Sequence, residues 1–416
     1  MTAPDKLNAQ SLRRTQSLWR DGLPAVCLGW VWARLCVTAG FATAHLMESR
    51  LETPRGSEQI QQGLFTWDGA FYRGLAQQWY TRPTLSDVGG LSGEEARFFP
   101  VYPALAKAFG PILGGHADWA LIGISNIAAF LGAWVLWKLA SEVLGDPGLQ
   151  GTALPTHEGV LGATNRSAVL IAIFPAAFIL SFAYSEGLAL LVVAGALLAL
   201  QRRSFVTAGL LALLAAGIRP VGGLLLVPIA IELLRVRPRP RWWNWLIGLG
   251  GPVTGLVLAL VWIERSTKDL LLPLRLQRQI RGGFQDPVTR VLEPMGELLR
   301  GNFRDIYNLG FMILFLLLFL YMLSGYWGSS DQGFGTQKGS ARLPGSWIAY
   351  AGVSLLLLLS SQVTDSLGRY GLLVLPFVVA LALWTDRQWR YVIVGIACTA
   401  GSVWLTSEAL LGRLVP

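Results

Sequence analysis

The chain has 416 residues, 53% of them hydrophobic and 14% charged, with 47 glycines, 17 tryptophans and a formal net charge of +9. Soluble domains carry about 25% charged residues, so this composition excludes a disordered protein, a soluble enzyme and a disulfide-stapled secreted domain. With a mean hydropathy of +0.48 and apolar runs recurring almost to the C-terminus, the chain reads as an all-α polytopic membrane protein.

Lys6, Arg13, Arg14 and Arg20 precede the first apolar run, 24–46. That run is too long for a signal-peptide core and lacks an obvious cleavage site. It is read as the first span, with 1–23 as a cytoplasmic N-terminal segment and 24–416 as one transmembrane domain. A hydrocarbon core about 30 Å thick needs about 20 apolar residues. Runs of that kind follow at 119–141, 166–183, 185–201, 243–263, 306–325, 346–362, 368–385 and 391–411. Two shorter runs, 205–218 and 220–235, meet at Arg219-Pro220, and the run 99–114 is interrupted by three prolines and Lys107. Cys27, Cys36 and Cys398 lie inside apolar runs and read as small core residues.

Clusters of Arg202 and Arg203, of Arg235, Arg237, Arg239 and Arg241, and of Arg387 and Arg390 mark cytoplasmic ends. The same rule explains the net positive charge without nucleic acid, which is not expected as a partner. The turns at Tyr184–Gly187 and 363–369, and the junction Arg219-Pro220, then face the outside. Parity gives about eleven crossings if 99–114 does not fully cross. The first outer loop, 47–98, and a second, 264–305, are expected to hold juxtamembrane amphipathic helices. Arg275, Arg278 and Arg281 recur every three residues there, on one helical face. Gly328–Gly345 reads as a flexible connector.

On this topology the unusual polar residues gather on the outer side. Asp68 sits in Trp67-Asp68-Gly69-Ala70-Phe71-Tyr72-Arg73, Glu186 follows Tyr184-Ser185, Arg219 precedes Pro220, and Arg369 precedes Tyr370. A carboxylate can take a proton from an alcohol. Arginines can hold a phosphate that gains charge as it leaves. Aromatic rings can stack on a sugar or anchor a lipid. Each residue also has a plainer reading: Asp68 as the N-cap of a surface helix, Glu186 as an exposed first-turn acid, Arg219 as a snorkelling side chain, Arg369 as a partner of Asp365. Phe98–Pro103 reads equally as an interfacial anchor.

Several motifs are missing. The sequence has no Asp-x-Asp pair, no phosphate-cradling Gly-x-x-x-x-Gly-Lys loop and no Gly-x-Ser-x-Gly elbow, and its three histidines are far apart. No metal site and no cofactor are expected. An activated group bound here is expected to be a lipid monophosphate rather than a nucleotide diphosphate.

An ordered set of stretches then stands out: Trp67-Asp68-Gly69 with Tyr72, Phe98-Phe99-Pro100-Val101-Tyr102-Pro103, Phe174-Pro175-Ala176 with Ser181–Glu186, Arg219-Pro220 with Gly222, and Ser366-Leu367-Gly368-Arg369-Tyr370 with Leu375-Pro376. Together they resemble the GPI mannosyltransferase 2 (PIG-V) family and its prokaryotic relatives, over about residues 60–380. The resemblance implies a class C glycosyltransferase (GT-C) fold in the cell membrane. It implies a polyprenyl-phosphate sugar donor, usually of mannose, and inverting, metal-independent transfer on the extracytoplasmic side to a glycolipid, glycan or protein acceptor. On that resemblance Asp68 is the general base, Arg369 and Arg219 are donor-phosphate ligands, and Trp67, Tyr72, Phe99, Tyr102, Tyr184, Glu186, Gln277 and Tyr370 surround the substrates. Gln277 belongs to Leu274-Arg275-Leu276-Gln277, similar to the family's Arg-x-Gln segment, although Gln279-Ile280-Arg281 stand where an aromatic usually follows. The competing reading is a transporter or flippase of lipid-linked sugars. Such a protein places its ionisable residues near the midplane of its spans, not at their outer ends.

Overall fold

The computed structural model describes residues 3–48, 50, 54–80, 94–146, 157–301, 306–327, 343–362 and 366–416. Asp365 and most of the expected connector, 328–342, lie outside the described residues. Among the described residues seventeen α-helices follow one another. They are α1 (Ala3–Glu48), α2 (Pro54–Gln62), α3 (Asp68–Gln78), α4 (Val101–Phe109), α5 (Ala117–Leu144), α6 (His157–Ile173), α7 (Glu186–Gln201), α8 (Phe205–Ile218) and α9 (Leu226–Arg235). Then come α10 (Trp242–Thr267), α11 (Leu272–Arg281), α12 (Pro287–Leu299), α13 (Ile306–Trp327), α14 (Gly345–Leu359), α15 (Leu367–Leu372), α16 (Leu375–Trp384) and α17 (Gln388–Leu410). Among the described residues the sole β pairing is one bridge between Phe284 and Ser361. The chain is an all-α membrane protein.

Among the described residues, five stretches are long and apolar enough to cross a bilayer: Gly22–Glu48, Ala117–Leu144, Trp242–Thr267, Ile306–Tyr326 and Gln388–Leu410. A sixth counts if Glu158–Ile173 and the 3₁₀ turn Pro175–Ser181, bent by 72° at their junction, form one span. The other apolar runs form helices of 10–17 residues. At 1.5 Å per residue, the 15 residues of α14 reach only about 22 Å. The expected run 166–183 is thus broken at Phe174-Pro175. The run 368–385 is split into α15 and α16, with Pro376 inside the first turn of α16, where its missing N–H costs nothing. The segment 99–114 is a short helix, α4, closed by a 3₁₀ turn at Gly110–Leu113. The N-terminal segment expected before the first span is helical from Ala3 and continuous with it.

Close backbone packing holds α8 against α10. A Cβ built on Gly251 would stand 2.0 Å from the Gly209 carbonyl oxygen. Small residues are what let apolar helices approach this closely in lipid. The expected helices of 47–98 are α2 and α3, and those of 264–305 are α11 and α12. Leu274, Ile280, Val288, Leu292, Met295 and Leu299 on α11 and α12 are exposed. Apolar residues form a main core running from α1 through α17 and a second core around α3, α4 and parts of α5 and α10. The polar residues singled out in the sequence meet where these two cores adjoin.

Candidate active site

Four helix boundaries supply the charged groups. Asp68 is the first residue of α3, Glu186 the first of α7, Arg219 follows the last residue of α8, and Arg369 lies in α15. All four are buried, with Glu186 at 0% exposure. Chain breaks place them there: a side chain at a helix end can point along the axis into the gap between elements. Trp67, at the N-cap of α3, and Ser366, at the N-cap of α15, both have positive φ, 56° and 73°. Non-glycine residues rarely adopt this region. The two bends aim Asp68 and Arg369 at one another.

Arg369 Nη1 donates to Asp68 Oδ2 at 2.5 Å and lies 3.5 Å from Glu186 Oε1. Arg219 Nη1 pairs with Glu186 Oε1 and donates to Ser185 Oγ at 3.2 Å. Tyr72 completes this side by donating its hydroxyl to Ser185 Oγ at 2.8 Å. The Tyr370 ring lies under both guanidiniums, 4.9 Å from Arg219 and 5.3 Å from Arg369. Glu186 therefore sits between two arginines, and Asp68 is joined to the pair through Arg369. Gly187 is pressed against α5, where a Cβ would stand 2.2 Å from the Ser125 carbonyl oxygen; only glycine lets Glu186 approach so closely.

Burial raises the cost of the charged Asp68 carboxylate, yet Arg369, Arg97 and Arg219 together outweigh it, and its pKa lies below the ordinary carboxylate value. Burial pushes the Tyr72 phenol well up, so it remains a neutral hydrogen-bond donor.

Beside this cluster is a cavity of about 320 Å³. Its polar wall is Asp68, Tyr72, Arg97, Arg219, Gln277, Ser361, Arg369 and Tyr370. Its apolar wall is Phe98, Phe99, Ile218, Pro220, Val221, Leu274, Leu357, Leu358 and Leu367. The apolar wall continues between the 3₁₀ turn Pro220–Leu225 and α14 as a narrow cleft that shares Val221, Leu357, Leu358 and Tyr370 and adds Leu224, Tyr350 and Ser354. Charge at one end and hydrocarbon at the other suit an amphiphile with an anionic head.

The structure separates the sequence-predicted residues into two groups. Asp68, Tyr72, Phe99, Arg219, Gln277, Arg369 and Tyr370 border the cavity. Trp67, Tyr102, Tyr184 and Glu186 do not. Trp67 donates its indole N–H to the Ala409 carbonyl at 2.8 Å and so ties the bend before Asp68 to α17. Tyr102 is fully buried and donates to the Leu121 carbonyl at 2.9 Å. The Tyr184 hydroxyl accepts from the Asp68 backbone N–H and donates to the Thr66 carbonyl, each at 3.3 Å. These side chains hold the wall in place.

The plainer readings change too. Asp68 is not an N-cap, because Trp67 occupies that position. Glu186 is not exposed, and Arg219 is not snorkelling but paired. Arg97 and Ser185 were missed. Arg97 directly precedes Phe98-Phe99-Pro100 and Ser185 directly precedes Glu186, so the adjacent motifs already pointed to both. No family model and no curated protein matches this chain.

Proposed function

We propose that the protein is an integral membrane glycosyltransferase of the GT-C type, with about eleven crossings and its cavity open to the extracytoplasmic side. It transfers mannose from a polyprenyl-phosphate-mannose donor to a glycolipid, glycan or protein acceptor. One observation carries the reading: a carboxylate and three guanidiniums, drawn from stretches as far apart as 68 and 369, line one cavity whose opposite wall is apolar.

The chemistry follows from those groups. An acceptor hydroxyl is a poor nucleophile until its proton is taken. Asp68 is ionised at neutral pH, and its carboxylate has lone pairs to spare beyond the bond from Arg369. As the acceptor oxygen attacks the anomeric carbon, its proton passes to Asp68. The carbon–oxygen bond to phosphate breaks, and its electron pair stays on the phosphate oxygen. Lipid phosphate then leaves with one more negative charge, which the guanidiniums neutralise. Attack from the face opposite the phosphate inverts the anomeric centre and needs no second carboxylate nucleophile, unlike retaining glycosidases. Glu186, behind the wall, fixes the arginines rather than the substrate.

The test is transfer by protein purified in detergent, supplied with radiolabelled polyprenyl-phosphate-mannose and a membrane lipid extract. Label is expected in a new product with the wild type. Label that stays on the donor and crosses the bilayer of reconstituted vesicles instead supports the flippase reading. Because guanidiniums supply the positive charge, excess EDTA is expected to leave the rate unchanged. Loss of transfer with EDTA and its return with a divalent ion would overturn that part.

A further inference from the structure

We propose that Arg97 is the guanidinium that receives the donor's phosphate, with Arg219 and Arg369 serving first as partners of the two carboxylates. The inference rests on the transfer reading above and adds to it a residue that the motifs did not single out.

The argument begins with charge. Arg219 is paired with Glu186, and Arg369 with Asp68. Among the described residues, the carboxylate nearest Arg97 is Glu94, 3.6 Å away on the same 3₁₀ turn, and Glu94 does not border the cavity. Arg97 thus has a partner too, but its 3.6 Å pair with Glu94 is looser than the 2.5 Å pair of Arg369 with Asp68 and leaves its Nε unused. Closely paired arginines bind an anion poorly, because each must first leave its carboxylate.

Geometry points the same way. Arg97 lines the cavity, its side chain is 18% exposed, and its Nε is buried without an acceptor. A free N–H on a planar fork is what a phosphate oxygen needs. The guanidinium lies 5.0 Å from the Phe71 ring centre and 4.8 Å from that of Phe98, and these rings stack on each other at 5.2 Å. Such cation–π seating holds the fork in position without neutralising its charge. Its field also reaches Asp68, whose carboxylate it helps keep ionised. A phosphate bound at Arg97 is thus close to the base but does not compete with it for Arg369.

The test uses purified full-length protein and two probes, farnesyl phosphate and farnesol, with binding measured alongside sugar transfer. Wild type is expected to prefer the phosphate. Arg97→Gln is expected to weaken farnesyl phosphate about tenfold or more, leave farnesol unchanged, and raise the donor KM more than it lowers kcat. Arg97→Lys restores part of the loss. Thermal unfolding of both variants is expected to match the wild type, so misfolding does not mimic the effect. Unchanged farnesyl phosphate affinity in Arg97→Gln overturns the inference, as does a wild type that binds the two probes equally. If Arg97→Gln loses the phosphate but the wild type transfers no sugar, the Arg97 site stands and the transferase reading falls. If the wild type transfers sugar and Arg97→Gln is unaffected, the reverse holds.

Discussion

Asp68→Asn is expected to slow sugar transfer by about two to four orders of magnitude, with the donor KM within a few-fold of wild type. Asparagine keeps the shape and can still accept from Arg369, but it takes no proton. Arg369 retains Glu186 at 3.5 Å, so the variant is expected to remain folded. The measurement is kcat for both proteins, with thermal unfolding recorded on the same samples. A rate loss that merely follows a fall in Tm would count against a base.

The pH profile gives a second readout. The pKa of Asp68 in the folded protein lies below its ordinary value, so the group stays ionised to lower pH than a free carboxylate. The acid limb of kcat/KM is therefore expected below about pH 3.9, the ordinary aspartate value. The sign for stability follows. A depressed carboxylate pKa contributes stability above the unfolded value, and that contribution is lost as pH falls through the folded one.

The larger effect on folding is expected at Glu186. It is fully buried, paired with Arg219 and within 3.5 Å of Arg369. Glu186→Gln leaves two guanidiniums facing one another with one carboxylate, Asp68, to serve both. Breaking a buried pair in this way typically costs about 3–5 kcal/mol, and a large drop in Tm is expected in detergent. The double variant Glu186→Gln/Arg219→Gln removes the orphaned charge as well and is expected to be less destabilised than the sum of the single changes. Strict additivity, or an unchanged Tm in Glu186→Gln, would show that the carboxylate does not hold the cluster.

The identity of these residues was legible because charge inside apolar sequence is expensive and survives only with a purpose. Glu186, Arg219 and Arg369, at the ends of apolar runs, stood out on that ground, and Asp68, in the polar loop 47–98, through its aromatic neighbours and the motif it shares with the resembling family. Their pairing was not legible. Arg369 has a nearby candidate in Asp365, yet the partner seen is Asp68, 301 residues away in sequence. Periodicity says nothing about which helix ends meet. The same limit applies to the spans. Apolar length suggested continuous helices over 166–183 and 368–385, while Pro175 and the Val374–Pro376 junction break them. Trp67 looked like a sugar platform because it is aromatic and adjacent to Asp68. Its positive φ and its bond to the Ala409 carbonyl have no sequence signature.

If the chain is a transferase, the positive-φ residues Trp67 and Ser366 are expected to couple heat resistance to turnover. Strain of this kind costs of the order of 1–3 kcal/mol per residue and persists only where the surroundings impose it. Ser366 is the more replaceable of the two, since glycine adopts its φ of 73° freely. A selection for thermostability alone is expected to enrich Ser366→Gly early, and the enriched clones, assayed for transfer, to be slower because α15 can then swing Arg369 off Asp68. Engineers seeking a hardier variant should therefore leave position 366 alone and look for stability far from this bend.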